Sequence, residues 1–180
     1  MADNSLAVIR QNLKAKLLEL AASGDYAVIG HSLGGVLLRA VLIELAGELP
    51  GFRSPSHLFL LGSPISSTVM NHYLSRYRLY KYLSGECGQL VASEAAMAAI
   101  GLPRLSTTCV AGTRGIHGRW SPFGNEPNDT VVLLSELHTE KFTDVVYLDC
   151  RHPSIPANAA VSRIIQDRLK PYTSVPVTFV

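Results

Sequence analysis

Val28 to Ala40 reads VIGHSLGGVLLRA: an apolar run ends at Gly30, a serine follows two residues on, and a glycine pair opens a second apolar run. This stretch limits the fold more tightly than any other. Tyr26-Ala27-Val28-Ile29 has no polar alternation, which fits a strand covered on both faces. From about Leu33 to Ala46 the spacing is helical and the residues are apolar on most sides. A buried strand that becomes a buried helix at once must turn sharply, which strains the serine's backbone and requires small neighbours two residues away. Gly30 and Gly34 stand at those places.

A serine hydroxyl is a poor nucleophile until a base takes its proton and the backbone presents it to a substrate. The turn supplies the presentation, and the new helix begins with N–H groups that have no partner within it. Ser32 is therefore the candidate nucleophile and the Leu33 N–H a candidate oxyanion donor. A plain strand-to-helix joint is the bland alternative, and a phosphate cradle is another. The second lacks the Gly-Lys-Ser/Thr ending of a P-loop and the spacing of a dinucleotide fingerprint.

The strand-then-helix pattern continues downstream. His57–Leu61, Thr107–Ala111 and Thr143–Leu148 read as strands, and Ala159–Leu169 has helical spacing through Val161, Ile164, Ile165 and Leu169. Before the serine, Leu6, Ile9, Leu13, Leu17 and Leu20 mark one amphipathic helix, with Asn4 or Ser5 as its cap and Gly24 at its end. Strands without alternation, separated by helices, argue for a parallel sheet covered on both sides.

On such a sheet ligands collect at the carboxyl ends of the strands, and a serine's acid and base follow it on loops after later strands. His152, in DCRHPSIP, stands just after the strand 143–148 and is the favoured base. His138 lies before that strand, at the wrong end, and His31, His57, His72 and His117 have sufficient explanations as surface or packing residues. For the acid, Asp129 in GNEPNDTVV is preferred because the long loop 116–128 can carry it back over the sheet end. Asp149 and Asp144 are its rivals, and turn chemistry alone would also explain Asp129.

Together, GHSLGG, the Gly62-Ser63-Pro64 triplet, PNDTVV at 127–132 and RHPSI at 151–155 resemble bacterial lipase-like members of the α/β-hydrolase superfamily. The likeness runs from Tyr26 to Leu169. It implies a minimal α/β-hydrolase-like three-layer fold with a mostly parallel sheet of about four to five strands. It also implies a carboxylic-ester hydrolase, esterase- or lipase-like, with Ser32, Asp129 and His152 as nucleophile, acid and base, and with no cofactor and no metal.

One departure stands out. Family members carry, upstream of the elbow, a further strand whose loop donates the second oxyanion N–H, and only one helix precedes Tyr26 here. Losing such a donor costs about 10²–10³ in kcat. Hydroxyls of Ser66, Ser67 or Thr68, in the loop leaving the second strand, are candidate substitutes. Without that strand Tyr26–Ile29 becomes a bare sheet edge, so we expect either self-association into a homo-oligomer through it or cover from the tail TSVPVTFV at 173–180, where Pro176 suits an edge.

The Tyr- and Arg-rich stretch Asn71–Leu83 opens a candidate lid segment, 71–105, of a chain read as one domain over 1–180; a solvated helix is its rival explanation. A formal net charge of +2 gives no footprint for nucleic acid. No apolar window is long enough for stable membrane insertion. Cys87, Cys109 and Cys150 lack paired spacing and read as buried thiols of a reducing, cytoplasmic protein. The substrate is then a small-molecule or lipid ester. A catalytically weak or inactive hydrolase fold that serves as a binding module is the alternative, and acyl transfer to an acceptor other than water is a third.

Overall fold

The computed structural model describes residues 6–69, 90, 93–172 and 176–179. Helix α1 (Leu6–Ser23) leads into strand β1 (Ala27–His31), then helix α2 (Leu33–Glu48) and strand β2 (His57–Leu61). A short helix α3 (Glu94–Ala99) precedes strand β3 (Thr107–Gly112), and strand β4 (Asp144–Leu148) is followed by helix α4 (Ala159–Leu169) and strand β5 (Val177–Phe179). The five strands form one sheet in the order β4-β3-β2-β1-β5. Every pairing in it is parallel.

The missing alternation in the strands is explained by the two cores. Val28, Leu58 and Leu60 point to one side, where they meet Leu13 and Leu17 of α1 and Leu38, Val41, Leu42 and Leu45 of α2. Ala27, Ile29, Phe59 and Leu61 point to the other side and pack with Val110, Ile155 and Val161, the last from α4. Each face is apolar because each has its own helical cover, and each fully buried leucine or isoleucine contributes about 1.5–3 kcal/mol. The apolar positions read as one face of α1 all join the first core.

Asn4 and Ser5, expected as the α1 cap, lie outside the described residues, as do Asn71–Leu83 and Cys87. Within the rest of the candidate lid segment, α3 buries Met97 completely against Val36, with Leu33 beside them. Cys109 and Cys150 are buried free thiols. Burial pushes the Cys109 thiol up to about 12, so it is inert at neutral pH.

The sheet edge expected at Tyr26–Ile29 is closed from within the chain. β5 runs alongside β1 with Ala27 opposite Val177 and Ile29 opposite Phe179. Ala27 N–H also donates to the Pro176 carbonyl at 3.0 Å. Proline has no N–H to lose at such a place, and its carbonyl does the bonding. β1 is an inner strand over Ala27–Ile29 as a result, while Gly30 and His31, just before Ser32, pair with β2.

Candidate active site

Ser32 sits between β1 and α2 at φ 53° and ψ −124°, a region that non-glycine residues rarely occupy. Its N–H donates to the Leu61 carbonyl at 2.9 Å, which anchors the turn to β2. Its side chain does not cap α2. Size is fixed where strand and helix cross: a Cβ on Gly30 would collide with the Gly35 backbone, and one on Gly35 would collide with Ser63. The close approach thus runs from Gly30 to Gly35 and on to the Gly-Ser-Pro triplet, a contact of Gly35 that the G-x-S-x-G pattern does not contain.

Asp129 and His152 come together from the loops after β3 and β4. His152 Nδ1 donates to Asp129 Oδ2 at 2.6 Å. The pair is 1 % and 5 % exposed, so little water competes for that bond. Asp129 is held on its other oxygen, Oδ1, which accepts the N–H groups of Val131 at 3.0 Å and Val132 at 2.8 Å. The backbone adds a further tie, since His152 N–H donates to the Asp129 carbonyl at 2.7 Å. Asn128, fully buried, pins the long loop before it: its amide donates to the carbonyls of Ile116 and Glu126, each at 2.9 Å. Pro-Asn-Asp therefore turns the chain, as its composition suggests, and also aims a carboxylate.

The rivals have other partners. Asp149 is exposed and paired with Arg114, with Oδ2 2.7 Å from the guanidinium. Asp144 starts β4 at the opposite end of the sheet and is gripped by Arg168, which donates to its two oxygens at 2.7 and 2.8 Å. His138 Nδ1 lies 3.0 Å from Glu140.

The elbow and the Asp129–His152 pair meet through a residue whose place in the sequence suggested only packing. His31 Nε2 is 3.1 Å from the His152 carbonyl oxygen, and the two imidazole rings are 4.7 Å apart between centroids. His31 is one peptide bond from Ser32. Burial pushes the His31 imidazole below its ordinary value of 6.5, and the charge on a protonated His152 would push it further. Among the described residues the Ser32 hydroxyl itself makes no hydrogen bond.

Gly62, which the sequence marked only as part of the Gly-Ser-Pro triplet, is the second contributor. It has φ +54°, and a Cβ there would lie 3.1 Å from His152 Nδ1 and 3.2 Å from Asp129 Oδ2. The residue seats the hydrogen-bonded pair directly on backbone. Beyond it, Ile65 N–H donates to the Glu136 carbonyl at 2.8 Å, and the buried Glu136 carboxylate accepts from Val69 N–H and, at 2.8 Å, from Leu133 N–H. Desolvation pushes the Glu136 carboxyl above the usual range, against the effect of those N–H groups. Fully buried Arg39, on α2, donates to the Pro64 carbonyl at 2.8 Å, and burial pushes its guanidinium down to about 10. The loop leaving β2 is thus tied to α2 on one side and to the Asp129 loop on the other.

Ser66 and Ser67 line a cavity of about 600 Å³ with Ile65, Met97 and Lys141, and neither Ser32 nor His152 belongs to its wall. Thr68 is 1 % exposed and already has a partner. The two serines stand in the wall of this chamber. Among the described residues no helix is long and apolar enough to cross a membrane, and no cluster of side chains could hold a metal ion.

Several solved structures are similar to this arrangement of sheet and helices. ClbQ, from the colibactin NRPS/PKS pathway, matches 93 % of this chain and 77 % of its own with a TM-score of 0.54 and 17 % identity. RedJ, a thioesterase of the prodiginine pathway in Streptomyces coelicolor, matches 92 % of this chain and 68 % of its own at 0.52 and 19 %. The fold is α/β-hydrolase-like. Human thioesterase 2 also matches, over 89 % of this chain and 78 % of its own, at 0.47 and 14 %. No protein-family model matches the chain, and no curated protein does.

Proposed function

We propose that this chain is a serine hydrolase that cleaves acyl esters or thioesters through an acyl-enzyme. The observation that carries the reading is the buried Asp129–His152 hydrogen bond of 2.6 Å, placed at the carboxyl ends of β3 and β4 and joined through His31 to the strained Ser32. A carboxylate on Nδ1 leaves Nε2 unprotonated and basic, which is the tautomer a general base requires. His152 Nε2 takes the proton as Ser32 Oγ attacks the acyl carbon. The Leu33 N–H, at the first turn of α2, receives the charge that develops on the carbonyl oxygen. His152 then returns the proton to the departing alcohol or thiol, and water repeats the sequence in reverse to release the acid.

One part of such a site differs here: the strand beside β1 is β5, from the tail, and not an upstream strand with an oxyanion loop. A site with one oxyanion donor turns over about 10²–10³ more slowly than a two-donor site. The chamber behind Ser66 and Ser67, with Met97 packed on Val36 next to Leu33, offers space for an acyl group of modest length.

The test is labelling with a fluorophosphonate probe beside a panel of nitrophenyl esters and acyl thioesters of matched chain length, with Ser32→Ala as control. Stoichiometric modification of Ser32 with measurable turnover is expected. Folded protein that neither labels nor turns over any of the panel would favour a binding module instead. The ratio of ester to thioester kcat/KM assigns the substrate class.

A further inference from the structure

The residue between Gly30 and Ser32 differs from the other histidines in what it touches. A carbonyl oxygen can only accept, so the 3.1 Å contact means that His31 Nε2 carries a proton and donates it to the His152 carbonyl. With its ring centroid 4.7 Å from that of His152, at an interplanar angle of 39°, the side chain grips both the backbone and the imidazole of the same residue. Three other bonds on the His152 side all lead to Asp129 or stay within its own loop: the side-chain bond at 2.6 Å, the N–H to the Asp129 carbonyl at 2.7 Å and the 3.2 Å bond from Ile155 N–H to the His152 carbonyl. His31 is the one contact among these that reaches across to the nucleophile's strand.

We propose that His31 is a positioning residue for His152, holding the base loop against the elbow so that the imidazole stays in register with Ser32. This rests on the serine-hydrolase reading given above. The elbow is rigid because strand, helix and glycine contacts fix it, whereas the His152 loop is a short 3-10 turn (His152–Ser154) after an edge strand. A tie between two elements that arrive from distant parts of the chain fixes their relative placement, and an error approaching 1 Å in such a placement costs up to 10²-fold in rate. A neutral His31 fits this role, since it donates through Nε2 without adding a second positive charge beside a base that must itself become charged.

Substitutions separate the donor from the ring. Gln places an N–H₂ donor the same number of bonds from Cβ as His Nε2, Phe keeps an aromatic ring with no donor, and Ala removes both. We expect His31→Ala and His31→Phe to lower kcat and the rate of fluorophosphonate labelling by about 10–100-fold with KM within threefold, and His31→Gln to recover most of the loss. A second readout needs no turnover: the downfield proton resonance of His152 Nδ1–H should exchange faster with solvent in the Ala and Phe variants and be retained in the Gln variant. If all three variants label Ser32 at the wild-type rate and keep that resonance, positioning by His31 is overturned while the hydrolase reading stands. If folded wild-type protein does not label at all, the hydrolase reading fails, and the resonance alone decides whether His31 positions the ring.

Discussion

Gly62 and Gly124 allow a strain effect to be separated from a contact with the Asp129–His152 pair. Both have left-handed backbone, at φ +54° and +59°, but a Cβ on Gly124 would meet nothing within 4 Å, whereas one on Gly62 would press on the Asp129–His152 pair. Alanine at either position takes on left-handed strain of about 1–2 kcal/mol. At Gly62 the nearest atom, Ile155 Cδ1 at 2.9 Å, is the end of a flexible side chain and can rotate away. His152 Nδ1 at 3.1 Å and Asp129 Oδ2 at 3.2 Å cannot do so cheaply, because backbone and side-chain bonds hold both. Overpacking of that kind adds about 1–3 kcal/mol. Gly124→Ala is therefore expected to lower stability by about 1–2 kcal/mol and leave kcat unchanged, and Gly62→Ala to lower it by about 2–5 kcal/mol. At this chain length the latter is roughly 5–15 °C in Tm. A shift of a few tenths of an ångström in the pair should also reduce kcat about tenfold, less than a full 1 Å error would. Urea unfolding with a check that m is constant measures the first quantity, and ester or thioester turnover of the folded fraction the second. Equal losses of stability in the two variants, with equal kcat, would refute the claim that Gly62 is small because of the pair above it.

Other contacts lead to three more expected outcomes. Asp129→Asn keeps an oxygen for the Val131 and Val132 N–H groups but no longer holds His152 in the basic tautomer, so kcat should fall about 10⁴-fold with little change in the unfolding midpoint. Deleting residues 176–180 uncovers β1, and light scattering should then show self-association together with a lower Tm; a monomer of unchanged Tm would mean that β5 contributes nothing. His57 is buried and its imidazole is pushed below the ordinary value of 6.5, chiefly by desolvation. The unfolded chain then binds a proton that the folded chain refuses, so the contribution of His57 to stability is complete above about pH 6.5 and is lost as pH falls toward the folded value, at up to about 1.4 kcal/mol per pH unit. His57→Gln, compared with wild type by urea unfolding between pH 5 and 7.5, should remove that share of the slope; the buried Glu136, raised rather than lowered, acts in the opposite direction and cancels in the difference.

What could be read from the chain depended on whether a residue's partners are local. The elbow is a local feature, and so GHSLGG with an apolar run on each side placed β1, Ser32 and α2 within a residue or two of their observed bounds. β2, β3, β4 and α4 were legible for the same reason; strand direction set aside Asp144 and His138 at the amino end of β4, but not Asp149, whose pairing with Arg114 shows only in the structure. Contacts between distant segments left no mark. Nothing in the letter sequence tells Ser66 that it faces a chamber lined by α3 and Lys141, or His31 that it lies against a carbonyl 121 residues away. Arg39 is a charge in a largely apolar helix, and its bonds to the carbonyls of Pro64 at 2.8 Å and Gly101 at 3.4 Å explain its burial. The tail was legible in part: the bare edge demanded a cover, and Pro176 marked one, but the sequence could not choose between the tail and a second copy.

The same strands carry a second histidine–carboxylate arrangement, and its contrast with the first shows what environment does to residue type. At the amino ends of β2, β3 and β4, His57 Nε2 is 2.8 Å from Thr108 Oγ1, which donates to Asp144 Oδ2 at 2.6 Å, and Arg168 holds the carboxylate from α4. Thr108 Oγ1 spends its proton on Asp144 and so accepts from His57, leaving Nδ1 of that ring as the unprotonated nitrogen. Three differences disarm this set. The hydroxyl stands between imidazole and carboxylate, so no negative charge touches the ring. The guanidinium neutralises Asp144 and draws its carboxyl below the usual range, so a protonated His57 gains less from it than a direct neighbour would. The ring also stacks on Phe59 at 4.3 Å, an apolar surface that disfavours charge. At the carboxyl ends, by contrast, Asp129 touches His152 directly and has no cation of its own among the described residues. Asp129 spends one oxygen on backbone N–H groups and keeps the other for the ring. The two sets use the same kinds of residue on neighbouring strands, and the direction of the sheet decides which of them clasps three strand starts and which lies beside the elbow serine at the carboxyl ends.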